Sequence, residues 1–253
     1  MNKVTVKKPG RVALIGMSAL CLIIGLMASK AYALPGLQLD ISGGFYDTTT
    51  ETIMTTSDTF TLYALLDTTK FTAAERLDTY YISVALTPQT SSSASLGSFL
   101  FGPSGGTMTT VDVTSGMTYG LPPLEGALAT KDAGDLAKHS VYPTYFKEFA
   151  FTFDPSKTAI AYNTQDNPGG FQAGSGSLLY AAFQVDKTLL NSPYQLHFDL
   201  YSTQVFTSGD EDIKYFAPFS HDAGTTVPEP TSLLLLGSGL AGIGIWRRQV
   251  SQG

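Results

Sequence analysis

Few residues in this chain are equipped for chemistry. Three histidines, His139, His197 and His221, supply all its imidazoles. His197 and Asp199 stand two apart, a spacing that in a strand places them on one face with Gln195 and Tyr201. His197, Asp199 and Tyr201 are therefore a candidate ligand face. A polar ladder turned to solvent explains the same spacing and is the preferred reading. His221-Asp222 follows the last apolar cluster and reads as a loop pair. Nucleophilic catalysis needs a serine, a base and an orienting acid brought together, and neither G-x-S-x-G nor H-E-x-x-H occurs. No catalytic residue is assigned.

Oxygen-rich turns form a second group of candidates. Asp210-Glu211-Asp212 follows Ser208-Gly209, and Asn163 and Asp166 stand with Gln165 and Asn167. Both have the hard oxygen donors that Ca2+ takes, yet neither follows the EF-hand spacing. Acidic loops also simply solubilise an extracellular domain, and that reading is preferred. Glycoside hydrolysis needs two carboxylates; Glu51, Glu125 and Glu148 qualify only by residue type. Tyr80, Tyr81, Tyr142, Tyr145, Tyr162 and Tyr215 are candidates for stacking on sugars. Thr48-Thr49-Thr50, Thr55-Thr56 and Thr109-Thr110 lack the period that a flat ice-binding array requires.

The elements that must position these groups read as strands. Leu37, Leu39 and Ile41 alternate with Gln38 and Asp40, and Phe60, Leu62, Ala64 and Leu66 with Thr61 and Tyr63. Ile82, Val84 and Leu86 repeat the pattern, as do Phe149, Phe151 and Phe153, and Tyr194, Leu196, Phe198 and Leu200. Leu179 to Val185 and Met108 to Val113 add two more. Each run offers one apolar face, and such faces need a second layer. The expectation is an all-β fold, a single antiparallel β-sandwich of jelly-roll or immunoglobulin-like type. Thr72 to Leu77 has room for a helical turn or two. Thr87 to Gly97, Thr114 to Thr144 and Asn163 to Gly170 read as loops. No fixed repeat points to a solenoid.

Composition divides the chain into residues 1–33, 34–227 and 228–253. The middle stretch has 20 of the 21 acidic residues and 8 of the 15 basic ones, a formal charge of −12 against −6 for the whole chain. That excludes nucleic acid as a partner, since phosphates need a basic patch. Cys21 and Trp246 lie in the flanks, so the body has no disulfide, no cysteine-ligated zinc and no catalytic thiol. Lys3, Lys7, Lys8 and Arg11, the apolar run Val12 to Met27, and Ala31-Tyr32-Ala33 make the three parts of a secretory signal peptide, with signal peptidase cutting before Leu34.

The C-terminus reads Pro228-Glu229-Pro230, then an apolar run to Trp246, then Arg247-Arg248. A helix from Thr231 to Trp246 would be about 24 Å long, able to cross a thinned bilayer, with the arginines held on the cytoplasmic side. Gly237-Ser238-Gly239-Leu240-Ala241-Gly242 fits a dinucleotide fingerprint by letter but not by context, because no βαβ unit surrounds it. The order Pro-Glu-Pro, apolar helix, Arg-Arg resembles the PEP-CTERM sorting tail. That resemblance implies an exosortase as partner, with transient anchoring in the inner membrane of a Gram-negative bacterium. Release or attachment at the cell surface or in the extracellular matrix would follow.

The body is similar to the choice-of-anchor N family of exported proteins. The segments that carry the likeness include Leu37 to Ile41, Phe60 to Leu66 and Tyr119 to Glu125. Ala161 to Gly170, His197 to Tyr201 and Phe216 to Ala223 complete it. The family implies export and surface attachment and supplies no catalytic residue. Together these readings describe a non-enzymatic surface or exopolysaccharide-matrix protein that needs no cofactor and acts by binding or structure, with extracellular polysaccharide as partner. The alternative is a secreted carbohydrate-active enzyme using acidic loop residues.

Overall fold

The computed structural model describes residues 34–92, 95–124, 142–205 and 211–226. Ala31 and Ala33 of the signal stretch, Pro228, Glu229, Pro230, Arg247 and Arg248 of the tail, and Glu125, His139 and Asp210 lie outside these. All described residues belong to one compact unit beginning at Leu34. Among them, no helix is long and apolar enough to cross a membrane.

Fourteen strands run through the described residues. The first seven are β1 (Leu37–Ile41), β2 (Phe45–Asp47), β3 (Thr52–Thr55), β4 (Thr59–Asp67), β5 (Tyr80–Thr87), β6 (Ser98–Pro103) and β7 (Thr109–Asp112). The others are β8 (Thr118–Gly120), β9 (Thr144–Phe151), β10 (Thr158–Ala159), β11 (Leu178–Asp186), β12 (Gln195–Val205), β13 (Glu211–Phe216) and β14 (Ala223–Thr225). Short helical turns lie between them at Glu75–Leu77, Val113–Gly116 and Phe219–His221.

Two sheets result. The first has the order β1-β4-β11-β6-β7, with β10 added on β11. The second runs β2-β3-β14-β12-β5-β9-β8, with β13 added on β12. The expected antiparallel sandwich is present, with one departure: β14 pairs with β3 in parallel. The period-two pattern explains the layering. Leu62, Ala64 and Leu66 of β4, Ile82, Val84 and Leu86 of β5, and Leu196, Phe198 and Leu200 of β12 are all buried in one core. Rings interlock across the sheets: Phe60 meets Phe198 edge to face at 6.0 Å, and Phe101 stacks on Phe149 at 4.2 Å. Phe153 is buried, whereas Phe149 and Phe151 are half-buried against the core.

The polar side of β1 behaves differently from what alternation suggests. Gln38 and Asp40 point away from the sandwich core, yet both are buried. The turn-rich segment around Tyr162 to Phe171 folds over them. Gln38 Nε2 donates to the Tyr162 carbonyl at 2.8 Å, and its Oε1 accepts from the Thr164 N–H at 3.1 Å. The Tyr162 hydroxyl donates to Asp40 Oδ2 at 2.5 Å, while the Gly169 and Ile41 N–H groups donate to Oδ1 at 2.7 and 2.9 Å. Phe171 stacks on Tyr63 at 3.8 Å and seals the cover. Gly169 must be glycine here. Its φ is +70°, and a Cβ would lie 3.1 Å from the backbone nitrogens of Gly43 and Gly44.

Candidate functional site

The 11-residue β12 occupies the middle of the second sheet. With Leu196, Phe198 and Leu200 turned inward, Gln195, His197, Asp199 and Tyr201 share the opposite face. That face is not a solvent ladder, and the expectation is corrected here. The His197 side chain is 15% exposed and that of Asp199 0%. Tyr201 is also buried; it stacks on Tyr81 at 5.7 Å and donates its hydroxyl to Glu148.

Strand pairing brings a further carboxylate to this face. In the β12–β14 ladder His197 lies opposite Gly224 and Phe198 opposite Ala223. Asp199 and Asp222 each stand one residue beyond that second pair. His197 Nε2 is 3.1 Å from Asp199 Oδ1 and 3.6 Å from Asp222 Oδ2. His221 and Asp222 lie in the connection between β13 and β14, and Asp222 is buried at 1% exposure there. Asp222 was missed because it is distant in sequence. Its only sequence signal is an acid one residue ahead of a short Ala-Gly-Thr strand.

His221 points elsewhere and serves the cover over β1. Its Nε2–H donates to Asn163 Oδ1 at 3.0 Å, and Nδ1 accepts from the Ser220 hydroxyl at 2.8 Å. Burial pushes its pKa down to about 4, so the ring is neutral. Asp40, beneath the same cover, moves the other way. Burial raises it to about 6, although the Tyr162, Gly169 and Ile41 donors pull it down.

The calcium candidates are placed as follows. Asn163 Oδ1 already accepts from His221 and from the Gln165 N–H at 2.8 Å, and Asp166 is exposed. Glu211 and Asp212 open β13, but their side chains and Asp210 lie outside the described residues. Among the described residues, the His, Cys, Asp and Glu cluster with metal-binding geometry is His197, Asp199 and Asp222, whose ligand atoms all lie within 4.8 Å of one another.

Beside His197 the face opens into a groove of about 540 Å³. Met54, Gly224, His197 and Ala85 form one rung of it across four strands. Thr87, Gln89 and Tyr142 add a hydroxyl, an amide and a phenol, and no Asp or Glu is among the described lining residues. Thr144 and Thr225 also border the groove, but their hydroxyls bond to the Leu86 carbonyl and to Gln195. Of the six tyrosines considered for sugar stacking, only Tyr142 lines it. Tyr80, Tyr145, Tyr162 and Tyr215 use their hydroxyls on Glu75, Ser92, Asp40 and Glu75 respectively. Glu51 sits in a turn at φ 59° and Glu148 on the outer face, and neither lines the groove.

Residues 226–249 match the model of the PEP-CTERM protein-sorting motif. The motif marks the chain as an exported protein that an exosortase processes, with a membrane-associated C-terminal tail. The β-sandwich lies almost entirely outside that match. No curated protein and no solved structure matches the chain.

Proposed function

We propose that this is an extracellular surface or exopolysaccharide-matrix protein whose sandwich acts by binding rather than catalysis. The observation that carries this reading is the groove on the second sheet. It offers Thr87, Gln89 and Tyr142 beside apolar Met54 and Ala85, the mixture a polyhydroxylated ligand engages. A chain handed to an exosortase reaches the space where such polymers occur. In this reading the protein is attached at the cell surface and has a role in biofilm or floc formation. Signal peptidase removes residues 1–33 in this reading. The test is a glycan-array and matrix pull-down screen with the purified protein and its Tyr142→Ala and Gln89→Ala variants. Retention of a polysaccharide that both variants weaken at least tenfold supports the proposal. Glycan turnover, or retention indifferent to both changes, refutes it.

A further inference from the structure

From the outer face of β12 we infer that His197, Asp199 and Asp222 bind a divalent first-row transition metal ion, zinc or manganese. Three observations carry this. The first is geometry. Metal–ligand distances of about 2.0–2.2 Å in a tetrahedral site place neighbouring ligand atoms roughly 3.3–3.6 Å apart. His197 Nε2 lies 3.1 and 3.6 Å from the two carboxylate oxygens. Two of the three separations are thus close to those of a coordination shell, and all three ligand atoms lie within 4.8 Å of one another.

The second is charge. Asp199 and Asp222 each stand one residue beyond the Phe198–Ala223 rung, with carboxylate oxygens within 4.8 Å of one another, and like charges so close are destabilising. Both carboxylates are buried, at 0% and 1% exposure, where an ion is kept only with a counter-charge or a metal. A divalent ion reverses the sign of that contact. The third is an orphaned atom. Among the described residues Asp199 Oδ2 accepts no hydrogen bond, and neither does the hydroxyl of Ser83, its neighbour across β5. Both are fully buried, and buried polar groups left so call for a ligand.

One imidazole with two carboxylates suits zinc or manganese better than calcium, which favours an all-oxygen shell. His197 also lines the groove, whereas Asp199 and Asp222 are not among its described lining residues. This inference does not depend on how the chain is sorted or on which polymer it meets.

The experiment uses the untagged full-length chain, stripped with chelator and titrated with Zn2+, Mn2+ and Ca2+ by calorimetry and thermal melting. One equivalent of Zn2+ or Mn2+ should bind and raise the melting temperature by mass action. Co2+ loading should give a d–d absorption band that His197→Gln shifts or abolishes. D199N and D222N should lower the affinity at least tenfold. Without metal, each should melt at or above the wild-type temperature, because each removes one of two opposed charges. A response to calcium alone, or none, overturns the inference. So does undiminished binding in both variants, or a metal-free D199N that melts well below wild type.

Discussion

Asp40 and His221 titrate in opposite senses beneath one loop, so acid should affect this protein less than either group alone implies. Asp40 ionises at about 6 in the folded chain against an ordinary 3.8. Between those values the folded state keeps a proton that the unfolded state has released, so this group's contribution is full below pH 3.8 and is lost as pH rises through about 6. His221 moves from 6.5 to about 4. There the unfolded state takes the proton first, so stability is full above pH 6.5 and is lost as pH falls through about 4. Each displacement exceeds two pH units, worth roughly 3 kcal/mol at 1.36 kcal/mol per unit. The slopes oppose one another across pH 4–6 and largely cancel. Asp40→Asn should uncover the histidine, giving a variant that loses roughly 3 kcal/mol relative to wild type as pH falls from 6.5 to 4. His221→Gln should uncover the carboxyl, giving a variant that loses a similar amount relative to wild type as pH rises from 4 to 6. Urea unfolding followed by far-UV circular dichroism at four pH values, with the m-value checked for constancy, measures both. Profiles for the two variants that run parallel to wild type would refute the account of the cover.

Phe198→Ala should cost about 3–5 kcal/mol, because the ring is fully buried and meets Phe60 across the sheets; equilibrium urea melts read it directly. Gly169→Ala should cost about 1–2 kcal/mol from the left-handed backbone alone, with faster hydrogen exchange at the Tyr162 to Phe171 amides as its signature. An unchanged exchange pattern would separate Gly169 from the cover. Tyr162→Phe removes a donor from Asp40 and should raise that carboxyl further, so its midpoint by NMR should move above about 6. For processing, exosortase cleavage near Pro228-Glu229-Pro230 removes Trp246, the one tryptophan, so protein from the cell exterior should show tyrosine emission only. Extracellular protein whose intact mass still includes Gly253 would count against sorting.

The long, central strands were legible because alternation repeats often enough in them to be seen. β4, β5, β11 and β12 each span eight residues or more, and each shows the apolar period over most of its length. β2, β8, β10 and β14 have three residues or fewer, too short for a period to register. β3 reads in sequence as part of a scattered threonine run, and its parallel pairing with β14 depends on a contact over 160 residues away. The candidate site divides the same way. His197 and Asp199 are two apart, so their shared face could be read directly. Asp222 reaches them only through the β12–β14 register. Their burial was equally hidden, since alternation assigns a face but not what covers it.

The buried carboxylates differ in how their charge is met. Asp67 receives the Thr69 N–H and hydroxyl at 3.0 and 2.8 Å, a local turn that needs nothing from outside. Asp40 receives a phenol and two backbone N–H groups, so its burial fixes the loop to the sheet. Asp199 has only the imidazole two residues away, with a second carboxylate across the ladder. A fold under selection for stability alone would replace such a group with an apolar one at little cost. Asp67 and Asp40 justify their burial through the structure they hold. Asp199 does not, and it lies next to the residue that opens onto the groove. A poorly compensated buried carboxylate thus lies beside a hydroxyl- and amide-bearing groove, as expected where a site is maintained for something other than the fold.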